Sequence, residues 1–126
     1  MTRKIILDCD PGHDDAVALL LAMGNPTIEL LGITTVGGNQ TLDKVSRNAL
    51  VVKEIAGHPE VPVYAGCDRP LVRPVEVAEA IHGSTGMDVE GVQLPEPSTA
   101  LADAHAIDFI IDTITVSYTH LRAHET

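Results

Sequence analysis

Residues 4–15 read KIILDCDPGHDD, and the order of residue types within this stretch decides the fold. Ile5, Ile6 and Leu7 form a short apolar run, as expected of a buried strand. Asp8, Asp10, Asp14 and Asp15 follow, with the turn-forming pair Pro11-Gly12 between them. An apolar helical run, AVALLLAM, begins at Ala16. The carboxylates therefore fall on a loop between the C-terminal end of a strand and the N-terminal end of a helix. Open α/β sheets hold their ligands at such places. Carboxylates this close raise one another's pKa, and a bound cation removes the conflict. Hard oxygen donors, without a thiolate or imidazole cluster, suit Ca²⁺ or Mg²⁺ better than zinc. The structural alternative is that Asp14 or Asp15 caps the helix and complements its dipole.

Working outward, Asp14 to Met23 is the predicted first helix, with Gly24 as its C′ residue and Pro26 preventing continuation. Ile28 to Val36, IELLGITTV, is rich in β-branched residues and reads as a second strand. It ends in Gly37-Gly38-Asn39-Gln40, a second loop at a strand's C-terminal end. Thr41 or Asp43 can cap a second helix, in which Leu42, Val45, Ala49, Val52 and Ala56 recur at helical spacing. Gly57 and Pro59 end it, and Val61 to Ala65 is a third short strand. The order β-α-β-α-β implies an α/β fold with a parallel sheet and right-handed crossovers. Parallel topology would then bring the loops at residues 10–15, 37–40 and 66–68 to one sheet edge.

From Cys67 to Pro97 the periodicity fades, and Pro70, Pro74, Pro95 and Pro97 punctuate the segment. Loops this long are commonly functional or disordered. Within it, residues 81–88 read IHGSTGMD. His82 stands among small residues, with room to face a ligand, although a surface loop histidine is the plainer reading. Ser98 or Asp103 is expected to start a third helix, with Ala104, Ile107, Ile110, Ile111 and Ile114 as its buried stripe. His105, near the start of that helix, reads as a surface residue. After Ile114 the apolar pattern dissolves into TVSYTHLRAHET, and no fourth strand follows.

Composition narrows the function classes. The 126 residues are enough for about one modest domain. At 44% hydrophobic and 2% aromatic, they imply a core of Val, Ile, Leu and Ala. The formal charge of -10, with no basic run to grip phosphates, argues against nucleic acid and anionic membranes as partners. Cys9 and Cys67 do not make a disulfide framework, and a free buried thiol is expected for Cys9. The first strand starts at residue 4 without a signal-peptide core, and no apolar run reaches membrane-spanning length. A soluble, cytoplasmic protein is the expectation.

Four ordered motifs carry a resemblance. DCDPGHDDAVALLLA, LLGITTVGGNQTLDKVSRNAL, VPVYAG and IHGSTGMD resemble, in order and spacing, the landmarks of the nucleoside hydrolases, the inosine–uridine preferring N-ribohydrolase family. The resemblance covers about residues 3 to 114. It implies the N-terminal part of a mostly parallel open sheet with flanking helices, in a domain two to three times this length. It also implies Ca²⁺-dependent cleavage of ribonucleosides to free base and ribose, with pyrimidine or mixed preference, in nucleoside salvage and catabolism. A homo-oligomer, dimer or tetramer, is implied for the full-length form. Carried over by position, Asp10 resembles the general base and a calcium ligand, and Asp15 a second calcium ligand. Asp14 resembles a ribose-hydroxyl partner, Asn39 a contact near the ribose and the attacking water, and His82 a residue serving the leaving base. The family draws further calcium and ribose ligands from C-terminal segments that have no counterpart here.

Residues 1–114 are thus expected to be a partial hydrolase domain and residues 115–126 a disordered tail outside the family. VSYTHLRAHET resembles translated sequencing-adapter read-through, so His120 and His124 are not read as ligands, and the chain alone is expected to be inactive. Two other readings stand beside this one. Asp8-Cys9-Asp10 has the Asp-x-Asp spacing of a Mg²⁺-dependent aspartate-nucleophile phosphohydrolase, although His13 stands where a Thr or Val is expected and Asp14-Asp15 has no role there. The other is a non-catalytic, truncated domain.

Overall fold

The computed structural model describes residues 2–74, 91 and 93–117. Three strands, β1 (Arg3–Cys9), β2 (Ile28–Thr35) and β3 (Val63–Ala65), alternate with α1 (His13–Gly24) and α2 (Leu42–Ala56), and α3 (Ala106–Ser117) follows. The sheet order is β1-β2-β3 and both pairings are parallel. This is the expected α/β architecture, with β2 central.

The apolar alternation of the strands sends Leu7, Cys9, Ile33 and Val63 into one core with Leu19 of α1 and Ala49 and Val52 of α2. Because α1 and α2 pack on each other and on β2, both crossovers cover the same sheet face. On α2, Gly57 takes the left-handed conformation, φ 74°. Its N–H donates to the Glu54 carbonyl, and the His58 N–H donates to that of Lys53, which stops the helix as the sequence foretold. Lys53 is only 2% exposed, yet its Nζ donates to the carbonyls of Pro59 (3.2 Å) and Val61 (2.7 Å) and so fixes the turn that launches β3. Gly24, by contrast, lies inside α1, and Asn25 in extended conformation ends that helix.

The opposite face is covered by α3, and here the sequence reading needs correction. The helix starts at Ala106, later than Ser98 or Asp103, because His105 Nδ1 accepts the Ile107 N–H (3.1 Å) and caps it. Its inward side carries Ala106, Phe109, Ile110, Thr113 and Ile114, whereas Ala104, Ile107 and Ile111 are exposed. The stripe is displaced because Phe109 anchors the helix. Its ring stacks on Tyr64 with centroids 4.0 Å apart and 13° between planes, a pairing worth about 1 kcal/mol beyond burial. It also lies over Gly32, where a Cβ would come within 2.6 Å of Phe109 Cζ. The β1–β2 register shifts between Ile5 and Ile6 at this same place. Ala102 donates to the Val63 carbonyl (2.8 Å), so the approach to α3 covers part of the outer edge of β3. The helix runs three residues past Ile114, to Ser117. His82, His120 and His124 lie outside the described residues.

Candidate active site

The three loops converge at the carboxyl edge of the sheet, as parallel topology requires. The Val36 N–H donates to the Cys9 carbonyl (3.1 Å), and the Gly37 N–H to the Cys67 carbonyl (2.9 Å). Asp10 and Asn39, separated by 29 positions in sequence, meet directly. The Asn39 N–H donates to Asp10 Oδ2 (2.8 Å), and Asn39 Nδ2 donates to the Asp10 carbonyl (3.0 Å). Asn39 was expected near the ribose and the attacking water; its amide here holds Asp10 in place.

The adjoining Gly38 makes this clamp possible, because a Cβ on it would run into the Asp10 carboxylate. Gly38→Ala should therefore push that carboxylate out of place. A displacement of about 1 Å can reduce turnover about 10²-fold, and we expect at least about a 10-fold loss of kcat in the full-length protein with little change in Tm. Steady-state kinetics beside a thermal melt would test it; unchanged kcat would mean that the carboxylate tolerates the shift.

Asp14 and Asp15 lie in the first turn of α1, where the helix dipole favours negative charge. Neither is the cap: Gly12 holds that position with no side-chain cap bond. Asp15 instead reaches back, and its Oδ2 accepts the Asp10 N–H (3.1 Å). Burial first, then the hydrogen bond between the Asp15 and Asp10 side chains, push the Asp15 carboxyl up; the Asp10 N–H pulls it down, and the charges of Asp10 and Asp14 add to the rise. Asp14 is exposed beside them. A carboxyl pushed up in this way is one whose charge a cation would stabilise. The half-buried Cys9 is no competitor as nucleophile or soft ligand: burial, then the charges of Asp15, Asp8 and Asp10, push its thiol far up, so it stays protonated.

The chemistry of these donors fits a hard cation such as Ca²⁺, which Asp10 and Asp15 could hold through their carboxylate oxygens. Among the described residues, no group of three or more His, Cys, Asp or Glu side chains gathers to complete such a site. Asp8 stands apart from the pair, since its Oδ1 accepts the Thr34 hydroxyl (2.7 Å) across the ladder. A cavity of about 450 Å³ opens nearby between Leu42, the Cys67–Leu71 loop and His105, but Asp10, Asp14, Asp15 and Asn39 do not line it.

Two features beneath the site were not read from the sequence. Asn48 Nδ2 donates to the Pro11 carbonyl (2.9 Å), and the buried hydroxyls of Thr35 and Ser46 are 2.7 Å apart. A signal for Asn48 was present. It lies three residues after Val45 and four before Val52, so it is a polar residue on the helix's apolar stripe.

Comparison with known proteins places these features in context. The family model described as inosine-uridine preferring nucleoside hydrolase matches residues 5–125. The inosine-uridine preferring nucleoside hydrolase of Leishmania major is 60% identical over 114 residues, 90% of this chain and 36% of the relative. The pyrimidine-specific ribonucleoside hydrolase RihB of Escherichia coli is 53% identical over 116 residues, 91% of this chain and 36% of the relative. Among solved structures, the purine-preferring ribonucleoside hydrolase of Gardnerella vaginalis superposes with a TM-score of 0.82 at 39% identity, over 90% of this chain and 37% of that one. The chain spans 36% of the length of the two curated relatives.

Proposed function

The chain belongs to the inosine-uridine preferring nucleoside hydrolase family, and from that premise we propose that its residues build one half of a calcium-dependent ribonucleoside hydrolase site. The observation that carries this is the grip on Asp10: Asn39 holds both its carbonyl and its Oδ2, and Asp15 accepts its N–H. A carboxylate fixed at the carboxyl edge of a parallel sheet can take a proton from a water delivered to one place. Breaking a ribosyl C–N bond leaves positive charge on the sugar, and carboxylates with a positioned water meet that demand.

Asp10 acts as the general base toward the attacking water. Asp14, exposed at the first turn of α1, is placed to bond a ribose hydroxyl and fix the ring against that water. His82 serves the leaving base. Asp10 and Asp15 would hold Ca²⁺, which when bound supplies charge stabilisation and lowers the pKa of the water. The substrate we propose is a ribonucleoside with pyrimidine or mixed base preference. Support comes from relatives named inosine-uridine preferring and pyrimidine-specific; the structural neighbour named purine-preferring is more distant, at 39% identity. We further propose a cytoplasmic homo-oligomer acting in nucleoside salvage. Among the described residues, no helix is long and apolar enough to cross a membrane. Residues 115–126 we assign no part in the site.

Asp10→Asn tests the general base. It preserves shape and can still accept the Asn39 N–H, but it cannot take a proton. We expect kcat for uridine or inosine to fall at least about 10²-fold in the full-length protein. A near-normal rate in a folded, metal-bound variant would remove Asp10 from the role. The phosphohydrolase alternative predicts turnover of p-nitrophenyl phosphate instead. Against it stands Asp8, whose Oδ1 is engaged with Thr34 rather than joining Asp10.

His82→Ala separates a leaving-group role from a structural one. Natural nucleosides need their base protonated as it departs, whereas p-nitrophenol leaves readily without help. The expected outcome is a large kcat loss on uridine and a small one on p-nitrophenyl riboside. Equal losses on both would assign His82 a structural role.

A further inference from the structure

We propose that Asn48 is a positioning residue of the carboxylate site, acting through the Pro11 carbonyl to set how Asp10 and Asp15 face a bound cation. The inference rests on the proposed cation site and assigns a role to a side chain outside it. Asn48 is 3% exposed on α2, and its Nδ2 lies 2.9 Å from the Pro11 carbonyl oxygen. A carbonyl can only accept, so the amide nitrogen is the atom that must face it. Pro11 is itself buried.

The position of this bond gives it its consequence. Asp10 lies on one side of the Pro11-Gly12 turn and Asp15 on the other, in the first turn of α1. Proline holds its own φ nearly fixed. Gly12, in extended conformation with φ −120° and ψ −150°, has no side chain to restrict it and is the one soft joint between the two carboxylates. Asn48 grips the peptide unit immediately before that joint. Asn39 Nδ2 grips the preceding carbonyl, that of Asp10, at 3.0 Å. Two successive carbonyls are thus each held by an asparagine from the segment after β2, nine positions apart. Without Asn48, the peptide between Pro11 and Gly12 can rotate, and the two carboxylates lose their fixed relation.

Groups that orient metal ligands without touching the metal typically change affinity about 10- to 100-fold when removed. The test is Ca²⁺ affinity by isothermal titration calorimetry on the full-length protein, without any assay of turnover. Asn48→Asp keeps the shape but sets an acceptor against an acceptor. Asn48→Ala removes the amide and leaves room for a water, so it remains informative if the aspartate variant does not fold. Val52→Ala, on the same helix and 3% exposed, is the control that lowers Tm without touching the Pro11 carbonyl.

We expect the Ca²⁺ Kd of both Asn48 variants to rise about 10- to 100-fold at temperatures well below their Tm, with the Val52→Ala Kd unchanged. Wild-type Kd in the folded Asn48 variants, whatever their Tm, would overturn the proposal and leave Asn48 a structural plug. A Kd for Val52→Ala that rises as far as theirs would overturn it too, since affinity would then follow stability. A wild-type protein that binds no Ca²⁺ would instead overturn the cation site itself, and this inference with it.

Discussion

A polypeptide limited to residues 1–126 should turn over neither uridine nor inosine in millimolar calcium. In the proposed site Asp10 and Asp15 would supply only part of a shell of about six to eight oxygens, and no third His, Cys, Asp or Glu joins them among the described residues. The packing is equally partial. Among the described residues, only β2 has a strand on both sides, and β1 lies at an edge able to pair with another chain. On α1, Val17, Leu20 and Leu21 are 57%, 41% and 69% exposed, an apolar surface unsuited to standing in water alone. The comparison is between residues 1–126 and a version stopped at Ile114, each assayed with both nucleosides after contaminating host hydrolase is excluded. Turnover by either would show that the N-terminal half-site suffices. Turnover by the longer version alone would give residues 115–126 a role that we have denied them.

Stripping calcium from the full-length protein should lower its activity at least about 10³-fold, since a metal that holds charge and water contributes several kcal/mol to the transition state. Restoring calcium should recover it. The physical reason lies beside Asp15, whose carboxyl is pushed up by burial and by its bond with Asp10; a cation there would offset both. Calcium at about a hundred times its Kd should also raise stability by about 2.7 kcal/mol through mass action, which a thermal melt would read independently of turnover. Full activity in excess chelator, with metal analysis finding no bound calcium, would end the cation reading. The two predictions are linked: the short chain should show little thermal response to calcium, because no third His, Cys, Asp or Glu joins Asp10 and Asp15 among the described residues.

Much of this was legible in order and spacing. Strand, carboxylates, Pro-Gly, helix is a local pattern, and a β-α-β-α-β order forces the loops of Asp10 and Asn39 to one edge. The Gly57 stop of α2 was equally local, because only a residue tolerant of positive φ ends the helix there. Asp14 and Asp15 could be placed at the start of α1, but whether they cap it could not. A cap and a reach back to Asp10 call for the same residue type in the same turn.

What the sequence determined by itself, then, was the fold class and that Asp10, Asp14 and Asp15 fall together where β1 passes into α1, at the carboxyl edge of the sheet, since both follow from periodicity and from the single handedness of parallel crossovers. Only the tertiary structure decided how that site is held. The bonds of Asn39 to Asp10 and of Asn48 to Pro11 span 29 and 37 positions. No local pattern encodes a contact between one helix's polar residue and another loop's carbonyl. The stripe of the third helix, of which Ile110 and Ile114 turn inward and Ala104, Ile107 and Ile111 do not, escaped the sequence for the same reason. Its apolar residues are numerous enough to suggest more than one stripe, and the side that turned inward was chosen by Phe109 finding Tyr64 and the space above Gly32.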